Sequence, residues 1–595
     1  MSVDAASTDP AAPAPSPSTG TDSTAPATAG TGPCSAGHLI VRELEAHGVE
    51  RIYCVPGESY LDVLDGLHDS PIRTIVCRQE GGAGYMAVAE GRLTGRPGIA
   101  MVTRGPGASN VMVAIHNAYQ DATPLVVFVG LVPTEVRGRE AFQEFDLAGW
   151  FGSTAKKVLT LDDPGSAARI VADAMHTAAS GRPGPVIVGL PEDTQLVEVD
   201  GAVVPPRPVP EPGPSPADLA AIDAAIAAAR RPVLVTGGEM WDADTSAAVA
   251  DWAADRGVGI FADFRAYDGI DHAHPHYLGA LGIGSAPVSR EVFDAADLHI
   301  FLGCARTDIM TNSYELGCSP DTTIVISRDP GARGHFGPLD RLIVSTTRAF
   351  GAAVAESAAA GAGAEAGSAS PGSGAEAPAW IAETREAFLD WRVPRPPADS
   401  AEAAEGSAGD GEREYVDMDL AFGSIAEQLP ADAIIAYGAG NHTGWAARFL
   451  PVHRFPSALG PRNGSMGFGV PAAVAAALVH PERTVFSIAG DGCFMMNGQE
   501  FSTAVNEGAN LTIVINDNSR YGTIVAHQER EYPGRPSGTT LGNPDFAAWA
   551  RSFGGFGVRV ERTADFAQAF AEALAHDGPA IVHCITDPDI RTSRP

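Results

Sequence analysis

Residues 483–522 read RTVFSIAGDGCFMMNGQEFSTAVNEGANLTIVINDNSRYG, and two apolar runs inside that stretch decide the architecture. The first, Val485–Ala489, closes on Gly490-Asp491-Gly492; the second, Leu511–Asn516, leads into Asp517-Asn518. Short apolar runs joined through a helical stretch predict parallel strands covered on both faces. Side chains that leave such strands at their carboxyl ends meet at one edge of the sheet, where open α/β sheets bind ligands. Asp491 and Asn518, 27 residues apart, are thus expected side by side. Gly492 lets the backbone approach a ligand closely, and a helix expected to begin near Asn497 favours phosphate.

A carboxylate and an amide oxygen presented together suit Mg²⁺, a hard cation that takes oxygen ligands and completes its octahedron with phosphate and water. The expectation is that Asp491, Asn518 and the main-chain carbonyl of Arg520 hold Mg²⁺, and that Mg²⁺ holds a diphosphate. Gly-Asp-Gly alone is a common turn. The strand-helix-strand context and the distant Asn carry the reading.

The remaining composition narrows the function class. A chain of 595 residues is too long for one core and divides into about three domains. A net charge of −33 argues against nucleic acid or an anionic membrane as partner. Lys156 and Lys157 are the only lysines, so the placed lysine of a pyridoxal phosphate Schiff base or a Walker A loop is missing. Seven cysteines with no C-x-x-C pair suggest neither a zinc site nor a disulfide framework. No apolar run reaches the roughly 20 residues that span a bilayer, and the expected location is cytoplasmic.

The alternation of β-branched runs with Ala-rich helical stretches recurs along the chain, giving an α/β class with three doubly wound parallel-sheet domains. The expected boundaries are a disordered tail over 1–35, an N-terminal domain over 36–200 and a central Rossmann-like domain over 216–352. A low-complexity linker with one helix, read at WIAETREAFLDWR, covers 353–413, and a C-terminal domain covers 414–595.

The segment 483–522 resembles the diphosphate-binding domain of the thiamine diphosphate (ThDP)-dependent decarboxylases and carboligases, and in detail their acetolactate synthase-like branch. The similarity extends over nearly all of 36–590. Cys77-Arg78-Gln79-Glu80-Gly81-Gly82-Ala83 resembles the family's pyrimidine-binding domain, which makes Glu80 the general acid/base that shares a proton with the aminopyrimidine ring. Gly105-Pro106-Gly107-Ala108-Ser109-Asn110 and Ala141-Phe142-Gln143-Glu144 match two further family runs, the second implying that Phe142 and Gln143 reach the reacting carbons. Gly464-Ser465-Met466-Gly467 resembles the turn whose apolar residue, here Met466, props the cofactor in its V shape. Gly440-Asn441-His442 matches a segment beside the diphosphate. Ser465, Gly490, Gly492, Cys493, Asn518, Tyr521 and Gly522 complete the cofactor site that the resemblance implies.

The family's chemistry is decarboxylation of a 2-oxo acid followed by transfer of the acyl carbanion to a second carbonyl, with simple decarboxylation and a non-catalytic ThDP-binding protein as alternatives. Its cofactor spans two subunits, so a homodimer or homotetramer with sites at the interface is implied. Three departures bear on substrate and cofactor. His527, in Gly522-Thr523-Ile524-Val525-Ala526-His527-Gln528-Glu529, stands where the family carries a Trp that shapes the acceptor pocket. Pro191-Glu192-Asp193 replaces Pro-Lys-Asp, pointing to a substrate that is less anionic or quite different. In the central domain, Gly303-Cys304-Ala305-Arg306-Thr307-Asp308 and Ile326-Ser327-Arg328-Asp329-Pro330 depart from the flavin-binding runs, so a domain that only packs is preferred over one that holds FAD.

Overall fold

The computed structural model describes residues 32–317, 322–364, 377–396 and 415–594. Of the sequence expectations, the tail up to residue 31 and the low-complexity stretches at 365–376 and 397–414 lie outside the described residues.

Among the described residues, twenty strands form three six-stranded sheets and one two-stranded ladder. The ladder pairs β1 (Cys34–Ser35) antiparallel with β8 (Glu198–Val199). The N-terminal sheet holds β2 (Arg51–Cys54), β3 (Arg73–Val76), β4 (Gly98–Val102), β5 (Leu125–Leu131), β6 (Lys157–Thr160) and β7 (Pro185–Pro191) in the order β3-β2-β4-β5-β7-β6. The middle sheet holds β9 (Pro232–Thr236), β10 (Gly259–Ala262), β11 (Tyr277–Ala280), β12 (Leu298–Leu302), β13 (Thr322–Ser327) and β14 (Arg341–Val344) in the order β11-β10-β9-β12-β13-β14. The C-terminal sheet holds β15 (Ile434–Tyr437), β16 (Ala458–Leu459), β17 (Val485–Gly490), β18 (Thr512–Asp517), β19 (Phe556–Val560) and β20 (Ala580–Ile585) in the order β16-β15-β17-β18-β20-β19. All neighbours within these sheets are parallel. The central strands are buried along their whole length, as sheets covered by helices on both faces require.

Two details differ from the sequence expectation. The stretch assigned to the tail ends early, because Cys34–Ser35 zip onto Glu198–Val199. The stretch from residue 353 is not linker at first: the helix Thr347–Ala364 runs through it. Alanine has the highest helix propensity, and Phe350 and Val354 anchor this helix in the core, so an Ala-rich low-complexity run becomes helix. The expected second helix forms as Ala379–Trp391.

The N- and C-terminal sheets share one core. Helix Glu80–Thr94 packs on helix Gly469–Val479, and both are buried nearly all round, the pattern of a helix with no solvent face. Polar clasps join the units as well. Glu500 accepts from the backbone N–H groups of Arg78 and Gln79 at 3.1 and 3.0 Å and from the Thr503 hydroxyl at 2.7 Å. Asp268, after β10, accepts from Arg92 Nη2 at 2.8 Å and from the backbone N–H groups of Ser457 and Ala458 at 3.0 and 3.1 Å. One carboxylate thereby ties the middle unit to both others. The two lysines sit at an outer strand: Lys157 opens β6, and Lys156 Nζ donates to the carbonyl of Thr177 at 2.6 Å.

Replacing Asp268 by Ala strands a mostly buried Arg92 guanidinium and two strand N–H groups. A loss of about 3–5 kcal/mol is expected, the cost of removing one partner of a buried ion pair. Denaturant unfolding followed by tryptophan fluorescence measures it, and an unchanged midpoint would refute the clasp.

Candidate active site

Strands β15 and β17 are neighbours although β16 separates them in the chain, so the connections after them leave in opposite directions and open a crevice at their carboxyl ends. A cavity of about 250 Å³ occupies that edge. Gly440, Asn441 and His442 line it after β15; Gly490, Asp491, Gly492 and Cys493 at the end of β17; Asn518, Arg520, Tyr521 and Gly522 after β18; Met466 lines it from a separate loop. Twelve of the expected site residues therefore meet in one place. The helix after β17 begins at Asp491 itself rather than near Asn497, where it instead tightens into the 3₁₀ turn Gly498–Glu500.

The glycines are there because side chains would fill the site. A Cβ on Gly490 would lie 2.8 Å from His442 Nδ1, and one on Gly492 would lie 2.5 Å from the Tyr521 ring. Gly440 takes φ +140°, a conformation closed to other residues. Burial, reinforced by the Arg265 charge, pushes His442 down to about 3, so it is a neutral imidazole, and its Nε2 has no hydrogen-bond partner among the described residues. Cys493 Sγ accepts from the N–H groups of Ala439 and Gly467, both at 3.3 Å, which fastens the Met466 turn to the loop after β15. Thr523 fixes Asn441, accepting its N–H at 3.1 Å and donating to its Oδ1 at 2.9 Å.

Asp491 and Asp517 share one amide: Asn543 Nδ2 donates to Asp491 Oδ2 at 2.7 Å and to Asp517 Oδ1 at 2.8 Å. Asp517 turns away from the cavity to His583 Nε2 at 2.9 Å. Although burial acts to raise Asp517, its bonds from His583 and Asn543 outweigh that and hold it below the usual carboxylate value. Asp491 goes the other way, raised by burial and by the neighbouring Asp517 charge against the opposing bond from Asn543. Among the described residues no group of three His, Cys, Asp or Glu side chains gathers at metal-ligand spacing. Asp491, Asn518 and Arg520 carry carboxylate, amide and carbonyl oxygens and line one space kept clear by glycine, where Asn518 Oδ1 accepts the Arg520 N–H at 3.1 Å and the Arg520 carbonyl accepts the Gly522 N–H at 2.9 Å. That set fits Mg²⁺ with a phosphate-bearing group.

The other expected residues lie outside this cavity in their own chain. Ser465 does not line it, since its N–H and hydroxyl both bond Asn463 Oδ1, at 3.1 and 2.8 Å. Glu80 opens helix Glu80–Thr94 and accepts from Asn110 Nδ2 at 2.9 Å. Phe142 is 75% exposed, and Gln143 takes φ +64° against Gly105, in a loop pinned by Glu144, which accepts the Ala141 N–H at 2.9 Å. His527 is exposed one turn beyond the lining residues Thr523 and Ile524, with Arg530 Nη2 2.9 Å from its Nδ1. Glu192 is not the free negative charge that the reversal suggested: it pairs with the buried Arg104, whose Nη2 also bonds Glu58 at 2.6 Å. The reversal is answered inside the protein, so it says little about the charge of a substrate.

A second cavity, about 310 Å³, lies at the carboxyl ends of β9, β12 and β13 and is lined by Glu239, Gly303, Cys304 and Arg328. Its volume is at the bottom of the range of about 300–1,000 Å³ for ligand sites. Arg333 stacks 4.1 Å above the Tyr119 ring, joining two of its walls.

Sequence comparison agrees with the geometry. The chain matches the N-terminal TPP binding domain, the central domain and the C-terminal TPP binding domain of thiamine pyrophosphate enzymes over residues 34–150, 219–353 and 438–584. It is 29% identical over 560 residues to the acetolactate synthase isozyme 2 large subunit of Escherichia coli (strain K12), covering 92% of this chain and 95% of that protein. It is 31% identical over 563 residues to an acetolactate synthase of Mycobacterium avium, covering 92% of this chain and 87% of that one. The chain belongs to the thiamine pyrophosphate enzymes. Within them it falls in the acetolactate synthase-like branch, so its cofactor is thiamine diphosphate.

Asn543 had no signal in the sequence beyond an Asn-Pro turn. Asn543→Ala is expected to cost about 1–3 kcal/mol by leaving two buried carboxylates short of a donor. The sign of the pH effect follows from the raised Asp491: the folded cation-free protein holds this proton more tightly, so that contribution is present below the ordinary carboxylate pKa and lost as pH rises through the raised one. Thermal melts of cation-free protein should therefore show falling stability across that window. The Asn543→Ala penalty should be larger at neutral than at acid pH.

Proposed function

We propose that the protein is a ThDP- and Mg²⁺-dependent carboligase that decarboxylates a 2-oxo acid and joins the acyl unit to a second carbonyl. The observation that carries the reading is the crevice that Asp491, Asn518 and Arg520 line together among glycines. Asp491, Asn518 and the Arg520 carbonyl would hold Mg²⁺, which would offset the charge of the diphosphate, and His442 and Gly440 line the same crevice. Bound ThDP supplies a thiazolium carbon nucleophile and an electron sink for decarboxylation.

The residues of the chain do the rest. Glu80 holds the proton exchanged with the aminopyrimidine nitrogen, and Asn110 fixes its carboxylate. Met466 would support the cofactor, Gln143 would donate to the substrate and Phe142 would exclude water. That Glu80, Phe142 and Gln143 do not line the cavity of their own chain favours a homodimer in which each chain completes its partner's site, alone or paired as a homotetramer. His527 then faces the acceptor as a polar group. No helix among the described residues is long and apolar enough to cross a membrane, and the described cysteines are free, in keeping with a cytoplasmic enzyme. FAD has no part in the proposal.

Incubation with pyruvate and a panel of aldehydes is expected to yield 2-hydroxyketones and CO₂. Aldehyde and CO₂ alone would replace carboligation by simple decarboxylation. Glu80→Gln should lower turnover by about 10²–10⁴-fold while Mg²⁺-dependent ThDP binding persists; unchanged turnover would remove Glu80 from its role.

A further inference from the structure

The segment after β20 carries a side chain that neither the sequence motifs nor the mechanism uses. Ile590 and Arg591 line the crevice that holds Asp491. They are held there from both sides. Upstream, the Thr586 hydroxyl donates to Asn516 Oδ1 at 2.6 Å and Asp589 accepts from Arg520 Nη1 at 3.2 Å. Downstream, Arg594 forms a two-pronged pair with Asp417 at 2.7 and 2.9 Å and gives its N–H to Asp419 at 3.1 Å, while Ser593 accepts from Arg448 at 3.1 Å. Asp419 also accepts from Nε1 of Trp445, another lining residue, at 2.6 Å. The segment is thus a built wall of the crevice.

The charges on that wall are uneven. Arg520 is engaged by Asp589, His442 is neutral, and Asp491 is bonded to Asn543. Arg591 lines the same crevice with no ion pair or hydrogen bond to any described residue, and its Nε is buried without a partner. A buried guanidinium N–H left unpaired is costly, and its planar fork suits two oxygens of a carboxylate or a phosphate. We infer that Arg591 is an anion-binding residue of the active site, supplied by the C-terminal segment and completed by an anionic oxygen pair of the bound reactants. The inference rests on the crevice being the ThDP site. Both the diphosphate and the substrate carboxylate offer that chemistry.

The test uses the full chain with Arg591→Gln and Arg591→Lys. ThDP affinity with Mg²⁺ is read from quenching of tryptophan fluorescence, for which Trp445 is a local reporter, and pyruvate affinity is read the same way on ThDP-loaded protein. If the partner is the diphosphate, the Gln variant binds ThDP at least tenfold more weakly with pyruvate affinity unchanged. If it is the carboxylate, pyruvate binding weakens at least tenfold and ThDP binding does not. In either case Lys restores part of the loss, and the unfolding midpoint stays at the wild-type value because Arg591 holds no protein partner. Arg594→Gln, which loosens the anchor but keeps Arg591, should weaken the same ligand to a smaller degree. Unchanged affinity for both ligands in the Gln variant overturns the inference, whereas a wild-type protein that binds no ThDP overturns the reading of the crevice itself.

Discussion

Three strands, β15, β17 and β18, run parallel and adjacent, and most of the site follows from that constraint. Each ends within the same few ångströms of sheet edge, so groups far apart in the chain are delivered to one crevice without loops having to search for each other. The connection from β17 to β18 is short because a parallel crossover needs only one helical layer. Asp491 and Asn518 are therefore neighbours by topology. Their fine placement then depends on buried hydrogen bonds, chiefly those of Asn543, that topology does not dictate.

The N- and C-terminal sheets have one strand order, while the middle sheet has another. Where the order is shared, so is the switch point: between β2 and β4 in one, between β15 and β17 in the other. Glu80 follows β3 at the matching edge of the first sheet, beside the Gly105–Asn110 turn. One topology used twice thus presents the Glu80 carboxylate at the edge of one sheet and Asp491 and Asn518 at the edge of the other. The middle sheet has its own switch point between β9 and β12, and the cavity there is walled by Arg333 stacked on Tyr119.

What the sequence disclosed and what it hid divide along a physical line. The strand-turn-helix around Asp491 is local: apolar run, glycine, acid and helix occupy neighbouring positions, so pattern alone identifies them. The three parallel sheets were legible for the same reason. Asn543 lies 52 residues from Asp491 and Asp268 lies 189 from Ser457; contacts at such separations leave no periodicity to read. Glu192 was legible as a departure but not in its meaning, because its partner Arg104 is 88 residues away. The linker was misread at its start because alanine-rich sequence looks like low complexity and behaves like helix.

The placement of the two lysines has a practical side. Both belong to β6 or the residue before it, an outer strand of the N-terminal sheet, and positive charge at a strand edge discourages edge-to-edge association. Elsewhere the cations are arginines, which acylating reagents leave alone. Side-chain amine chemistry therefore has a single address on this surface, so a dye or a solid support coupled through lysine would attach every molecule by the same rim and in the same orientation.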